Sequence, residues 1–139
     1  MTLCPDITTP ERTEVFTGNE TTTRVVLQVL SSSRYKCDSC TDSNGPSVSI
    51  EVSKKAREDA RGRGVSFRYL TEITPNNLSY CKELSKLTEL RHLDGIKGNF
   101  SIYDNRVYLA SATLKEAQPV SQLIYSNVID IGGAAAIFV

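Results

Sequence analysis

Residues 35–70 read YKCDSCTDSNGPSVSIEVSKKAREDARGRGVSFRYL, and this stretch decides the fold. Tyr35 to Ser39 is a short β-prone run. Asp42 to Pro46 is turn chemistry, because Asp, Asn, Gly and Pro each favour a turn geometry. From Pro46 the pattern turns helical: Val48, Val52, Ala56 and Ala60 recur every fourth residue and form one apolar stripe. Lys54, Lys55, Arg57, Glu58, Asp59 and Arg61 fill the other faces, and a mixed charge run of this kind reads as a solvated surface. Gly62 and Gly64 end the helix. In Val65 to Leu70 the apolar Val65, Phe67 and Tyr69 alternate with Ser66 and Arg68, the pattern of a half-buried strand. Strand, helix and strand in this order imply parallel strands joined by a crossover helix.

The pattern extends in both directions. Upstream, Thr13 to Phe16 is β-prone, and Asn19 is placed to cap a helix from Glu20 to Ser33 whose apolar face holds Val25, Val26, Val29 and Leu30. Downstream, Thr74-Pro75 reads as the start of a third helix carrying Leu78, Cys81, Leu84 and Leu87. Glu89 to Leu93 is a short strand. Asn99 to Tyr103, an Asp104-Asn105 turn and Arg106 to Ala110 make a β-hairpin, and Gln122 to Tyr125 is a further strand. The expected product is a mixed sheet with parallel βαβ units and an antiparallel hairpin. Ligands in such folds gather where loops leave the C-terminal ends of parallel strands, here Cys37 to Thr41, Thr71-Glu72 and Arg91 to Asp94.

Composition narrows the function classes. The chain has 139 residues, 40% apolar, with 16 Lys+Arg against 16 Asp+Glu and a net charge of +0. This suggests one domain over residues 11–131, a loose lead-in over 1–10 and a separate tail over 132–139. Balanced charge opposes a dedicated nucleic-acid binder, whose affinity comes largely from excess Lys and Arg on phosphates. No apolar run reaches the roughly 18–20 residues that span a bilayer, and the start lacks a signal-peptide pattern, so the expected location is cytoplasmic with reduced thiols. Cys37 and Cys40 form C-D-S-C, followed by a turn rather than a helix start, so they read as strand-end cysteines, with redox pairing the lesser reading. His92 is the single histidine, and no metal or cofactor is expected.

Two stretches carry a family resemblance: GVSFRYLTEITPNNLSYC at 64–81, and 89–127, which opens ELRHLDGIKGNF and closes YLASATLKEAQPVSQLIYSN. Both resemble the N-terminal sensory region of thaumarchaeal histidine kinases, over nearly the whole chain from Glu11 to about residue 130. That region resembles half of a phospholipase-D-like fold. More distantly it is similar to the effector-binding domains of archaeal sugar-responsive transcription regulators. The resemblance implies an α/β phospholipase-D-like half-domain with helices on both faces of its sheet.

It also implies a place for chemistry. The phospholipase D family carries H-x-K-x(4)-D, with His as nucleophile, Lys on phosphate and Asp orienting the reaction, then a strand ending in G-S. Counting back from Asp104 puts Lys97 at the His and Asn99 at the Lys, and Ser111 follows Ala110 where the family has G-S. His92 lies five residues too early to replace the nucleophile. The expectation is therefore a non-enzyme, the ligand-sensing input domain of a histidine kinase without its kinase core. A small anionic or polar effector would be held by Lys97, Asn99, Ser111, Arg68 and Arg91. The resemblance further implies a homodimer. The alternatives are a dimerisation or relay module with no ligand, and a phosphodiesterase-type hydrolase, which the missing His disfavours. In the resembling kinases an acidic, Gln-rich helix follows near residue 130. Here Gly132 to Val139 departs from it, as a frameshifted copy of that helix would.

Overall fold

The structure is a computed structural model that describes residues 10–128. The elements in chain order are β1 (Thr13–Thr17), α1 (Asn19–Ser32), β2 (Lys36–Thr41), α2 (Gly45–Gly62), β3 (Ser66–Thr71), α3 (Leu78–Leu84), β4 (Glu89–His92), β5 (Asn99–Tyr103), β6 (Val107–Ser111) and β7 (Gln122–Ser126). The strands form a single mixed sheet in the order β1-β7-β6-β5-β2-β3-β4. β2 pairs in parallel with β3, and β3 with β4. The remaining neighbours pair antiparallel. The parallel units and the hairpin are thus where the alternation placed them. Residues 104–106 connect β5 to β6, with Asp104 and Asn105 both at positive φ (57° and 55°) in the tight turn that Arg106 N closes onto Tyr103 O (2.9 Å). The expected tail and Cys4 lie outside the described residues.

Helix placement differs from expectation. The antiparallel steps from β1 to β2 leave those two strands parallel, so three crossovers run in the same sense across the sheet. Right-handed connections then put α1, α2 and α3 on one side. The core agrees: Leu30 and Ala60 pack with Cys37, Phe67, Tyr103 and Leu109, while Ile50 and Leu84 pack with Tyr69. These strand residues alternate in register and share one face. The described helices therefore cover one face rather than both. Across the other face Leu70, Cys40, Phe100, Ala110, Ile124 and Val15 stand in one row, ending in exposed Ile124 and Val15.

Three local readings are also corrected. Asn19 lies inside α1. Gly18 is at the cap with φ 94°, and no side chain caps the helix. Thr74 and Asn77 exchange bonds, Thr74 N donating to Asn77 Oδ1 (2.8 Å) and Asn77 N to Thr74 Oγ1 (3.2 Å). This box fixes a turn, and the helix proper starts at Leu78. Finally, α2 bends at Ser53 (φ −133°, ψ 17°), where the hydroxyl donates back to Ser49 O at 2.8 Å. Its deeply buried stripe is Ser49, Ser53, Arg57 and Ala60, while Val52 and Ala56 are only half-buried. Arg57, expected on a solvated face, is 4% exposed.

Candidate functional site

Two of the motif positions, Asn99 and Ser111, meet at the end of the sheet where β2 ends, β5 begins and β6 ends. Asn99 is buried there, opposite Ser111 in register. Its side chain is fully used: Oδ1 accepts from Asp42 N (2.8 Å), and Nδ2 donates to Asp42 Oδ2 (2.9 Å) and Ala112 O (2.8 Å). Asp42 also accepts from Asn44 N (2.9 Å) and Leu114 N (3.3 Å). Where the family motif has a phosphate-binding lysine, this chain has a closed internal knot. Asp42 was read only as a turn residue. Its one sequence signal was the Asp-Ser-Asn-Gly string, since Asp commonly bonds backbone N–H groups two residues on.

The other predicted donors do not converge on that point. Lys97 is exposed in the loop before β5. Ser111 is half-buried and donates to Ala112 O at 3.3 Å. Arg68 and Arg91 lie on the helix-free face. Arg68 forks onto buried Asp38, Nε to Oδ1 at 2.8 Å and Nη2 to Oδ2 at 2.7 Å. Arg91 pairs with Glu89 at 2.8 Å, both exposed. The expected five-residue pocket is therefore split between two faces.

Asp104 sits at the opposite end of β5, five residues from Asn99 or about 17 Å along a strand. Its carboxylate accepts from Arg34 N, Tyr35 N and Lys36 N at 2.8, 2.7 and 2.9 Å. It ties the entry of β2 to the hairpin, so the orienting role implied by the resemblance becomes a structural one. His92 behaves as a strand-end histidine: Nδ1 accepts from Ile73 N (2.9 Å), which leaves the Nε2 proton for Asp94 Oδ1 (2.8 Å).

The redox reading of Cys37 and Cys40 is overturned. Both lie inside the central strand β2, three residues apart, so they point to opposite faces with about 10 Å between Cα atoms, beyond the roughly 7 Å limit for a disulfide. Burial also raises both thiols, Cys37 to about 11, which suppresses the thiolate that redox chemistry needs.

One polar system remains. Arg57 Nε donates to Ser53 Oγ (3.1 Å), with Nη2 3.5 Å from Ser49 Oγ. Ser49 Oγ bonds Tyr69 Oη (2.8 Å), Thr41 Oγ1 lies 3.2 Å from both Tyr69 Oη and Thr71 Oγ1, and Thr71 Oγ1 donates to Asp42 O (2.9 Å). A line of hydroxyls thus joins Arg57 to the Asp42 knot. A cavity of about 80 Å³ lies along it, between α1, α2 and the sheet, reaching Asn99 and Ser111 at one end. Arg57 was missed because it stands in a charge run. The available signal was Ser49, Ser53 and Arg57 at four-residue spacing, one position on from the valines.

The seven-strand mixed sheet with its helices has a phospholipase-D-like fold. Among solved structures the chain is similar to NucT from Helicobacter pylori, with TM-score 0.72 and 14% identity, covering 93% of this chain and 93% of that one. It is also similar to TrmBL2, described as an archaeal chromatin protein that shows a novel mode of DNA binding, with TM-score 0.62, 20% identity and 94% of this chain covered. The chain spans 50% of the TrmBL2 chain. At these identities the likeness is one of fold. No protein-family model matches the sequence, and no curated protein matches it. Neither structural neighbour supports the histidine-kinase part of the resemblance. No helix among the described residues is long and apolar enough to cross a membrane.

Proposed function

We propose that this chain is a catalytically inactive phospholipase-D-like domain that binds a small ligand and acts as the input module of a signal-transduction histidine kinase. The observation carrying the loss of chemistry is the Asn99–Asp42 knot at the phosphate-binding position. Lys97 stands where the nucleophilic histidine would, and the single histidine, His92, is held by Ile73 and Asp94. Support for a sensory role is the resemblance of residues 64–81 and 89–127 to kinase input regions, together with a largely apolar cavity at whose polar end Arg57 Nη1 has no hydrogen-bond partner. DNA binding, as in the description of TrmBL2, belongs to a protein about twice as long, and a net charge of +0 gives this chain no general attraction to phosphate. The test is a thermal-shift screen against a mixed panel of neutral, anionic and cationic metabolites. A reproducible stabilising hit of any class is expected, and a panel without one overturns the reading.

The helix-free face favours a second reading, self-association with or without a ligand. It presents a row of apolar side chains ending in exposed Ile124 and Val15, and homo-oligomers commonly bury such a face about a two-fold axis. Light scattering at micromolar protein should give a dimer mass. A monomer at every concentration removes this version.

A further inference from the structure

Arg57 is the buried cation that the motif does not explain. It is 4% exposed, and no ion pair to it exists among the described residues. Its guanidinium lies over the rings of Phe67 and Tyr69, 5.5 and 5.7 Å from their centroids. Nε has one hydroxyl acceptor, the Nη2 contact is long, and buried Nη1 has no hydrogen-bond partner. A guanidinium is a fixed cation with five donors. Two ring faces and two serine hydroxyls leave both its charge and its fork unmatched, and a charge removed from water normally has a counter-charge.

The surroundings specify the chemistry of that partner. Arg57, Ser49 and Ser53 form a polar end of the cavity, and Val26, Val52 and Leu109 line apolar wall. Half-buried Val26 and Val52 place part of the lining at the seam between α1 and α2. One fixed positive charge matches one negative charge, whereas a phosphate dianion would bring an uncompensated charge into a small, partly apolar space. The planar fork suits a carboxylate, and the aliphatic wall suits a short hydrocarbon body. We infer that the cavity is a binding site for a small monocarboxylate with a short apolar body, held by Arg57. This rests on the ligand-binding reading above and names its ligand class.

The test measures the thermal midpoint of the chain in acetate, butyrate and benzoate, with chloride at matched ionic strength and inorganic phosphate as comparisons. At roughly a hundredfold excess over Kd, a bound carboxylate should raise the midpoint by about 5–10 °C. Arg57→Met keeps bulk and removes charge, so it should fold, with a midpoint in chloride no lower than wild type, and show no carboxylate response. Carboxylates without effect on wild type, an undiminished response in Arg57→Met, or a larger response to phosphate would each overturn the assignment. If Arg57→Met does not fold, the Arg57 Nε–Hε resonance of the wild-type chain is followed in a butyrate titration: a saturable shift supports the site, and a stationary resonance removes it. A panel hit from another class with no carboxylate effect sinks this inference alone, while a panel with no hit sinks the binding-domain reading as well.

Discussion

Two polar clusters lie on the helix-covered side of the same sheet and differ in completeness. Around Asp42, donors and acceptors are matched: Asn99 uses its carbonyl and both amide hydrogens, and Asp42 gathers the Asn44 and Leu114 N–H groups. Around Arg57 they are not, and Nη1 is buried without a partner. The first cluster occupies the position of the lysine in the resembling phospholipase-D motif, and there the Asn99 amide is fully used within the chain. The second lies away from the motif and has capacity left over. Saturation separates a structural knot from a candidate site more reliably than motif position does, because a satisfied group gains little by exchanging partners.

Changes at the knot should cost folding, and the largest effect should come at the joint between the two clusters. A Cβ at Gly45 would lie 1.9 Å from Thr41 Oγ1, so either α2 or the end of β2 must move. Gly45→Ala should lower stability by about 3 kcal/mol in urea unfolding, and a loss under about 1 kcal/mol would show that the joint is soft. Asn99→Ala leaves the Asp42 N–H without its acceptor and Asp42 Oδ2 with only the longer Leu114 N bond, and should cost about 2 kcal/mol by the same measurement. An unchanged midpoint would mean the knot is not what holds this edge.

Alkaline pH tests the Arg57 side. Burial pushes Cys37 up from 9.0 to about 11, although nearby Arg57 pulls it back down. A thiol raised in the folded state stabilises fully below its unfolded value, and that contribution is lost as pH rises from about 9 to about 11, reaching about 2–3 kcal/mol. Tyr69 and Tyr103 are raised by burial as well and add to the same slope from about pH 10. Cys40 and Cys81, also raised by burial, keep the onset near pH 9, so Cys37→Ala should make the loss of stability above about pH 9 shallower rather than move its onset. An unchanged slope would show that Cys37 is wetter than its environment implies. The smallest effects belong to exposed Lys97 and Arg91: Lys97→Ala and Arg91→Ala should each change stability by less than about 0.5 kcal/mol.

Most of the fold was legible because it is written in local patterns. The Val65, Phe67, Tyr69 alternation and the Asp104-Asn105 turn each fix a strand or its end without reference to distant residues. The site was legible only in part. Motif counting found Asn99 and Ser111 at one edge, because register preserves spacing along a hairpin. It could not tell that Asp42, 57 residues away, would use up Asn99, or that Arg68 and Arg91 would face the other side. Arg57 was hidden by a tertiary effect: the bend at Ser53 and the pull of two aromatic faces override the surface reading of its charged neighbours.

Phosphodiester hydrolysis tests the central claim most directly. With bis(p-nitrophenyl) phosphate as substrate across pH 5 to 9, the account predicts p-nitrophenol release no faster than buffer for the wild-type chain, and the same for Lys97→Ala, Asn99→Ala and Ser111→Ala. Turnover above buffer that disappears when Lys97, Asn99 or Ser111 is replaced would contradict it and return this edge of the sheet to catalysis.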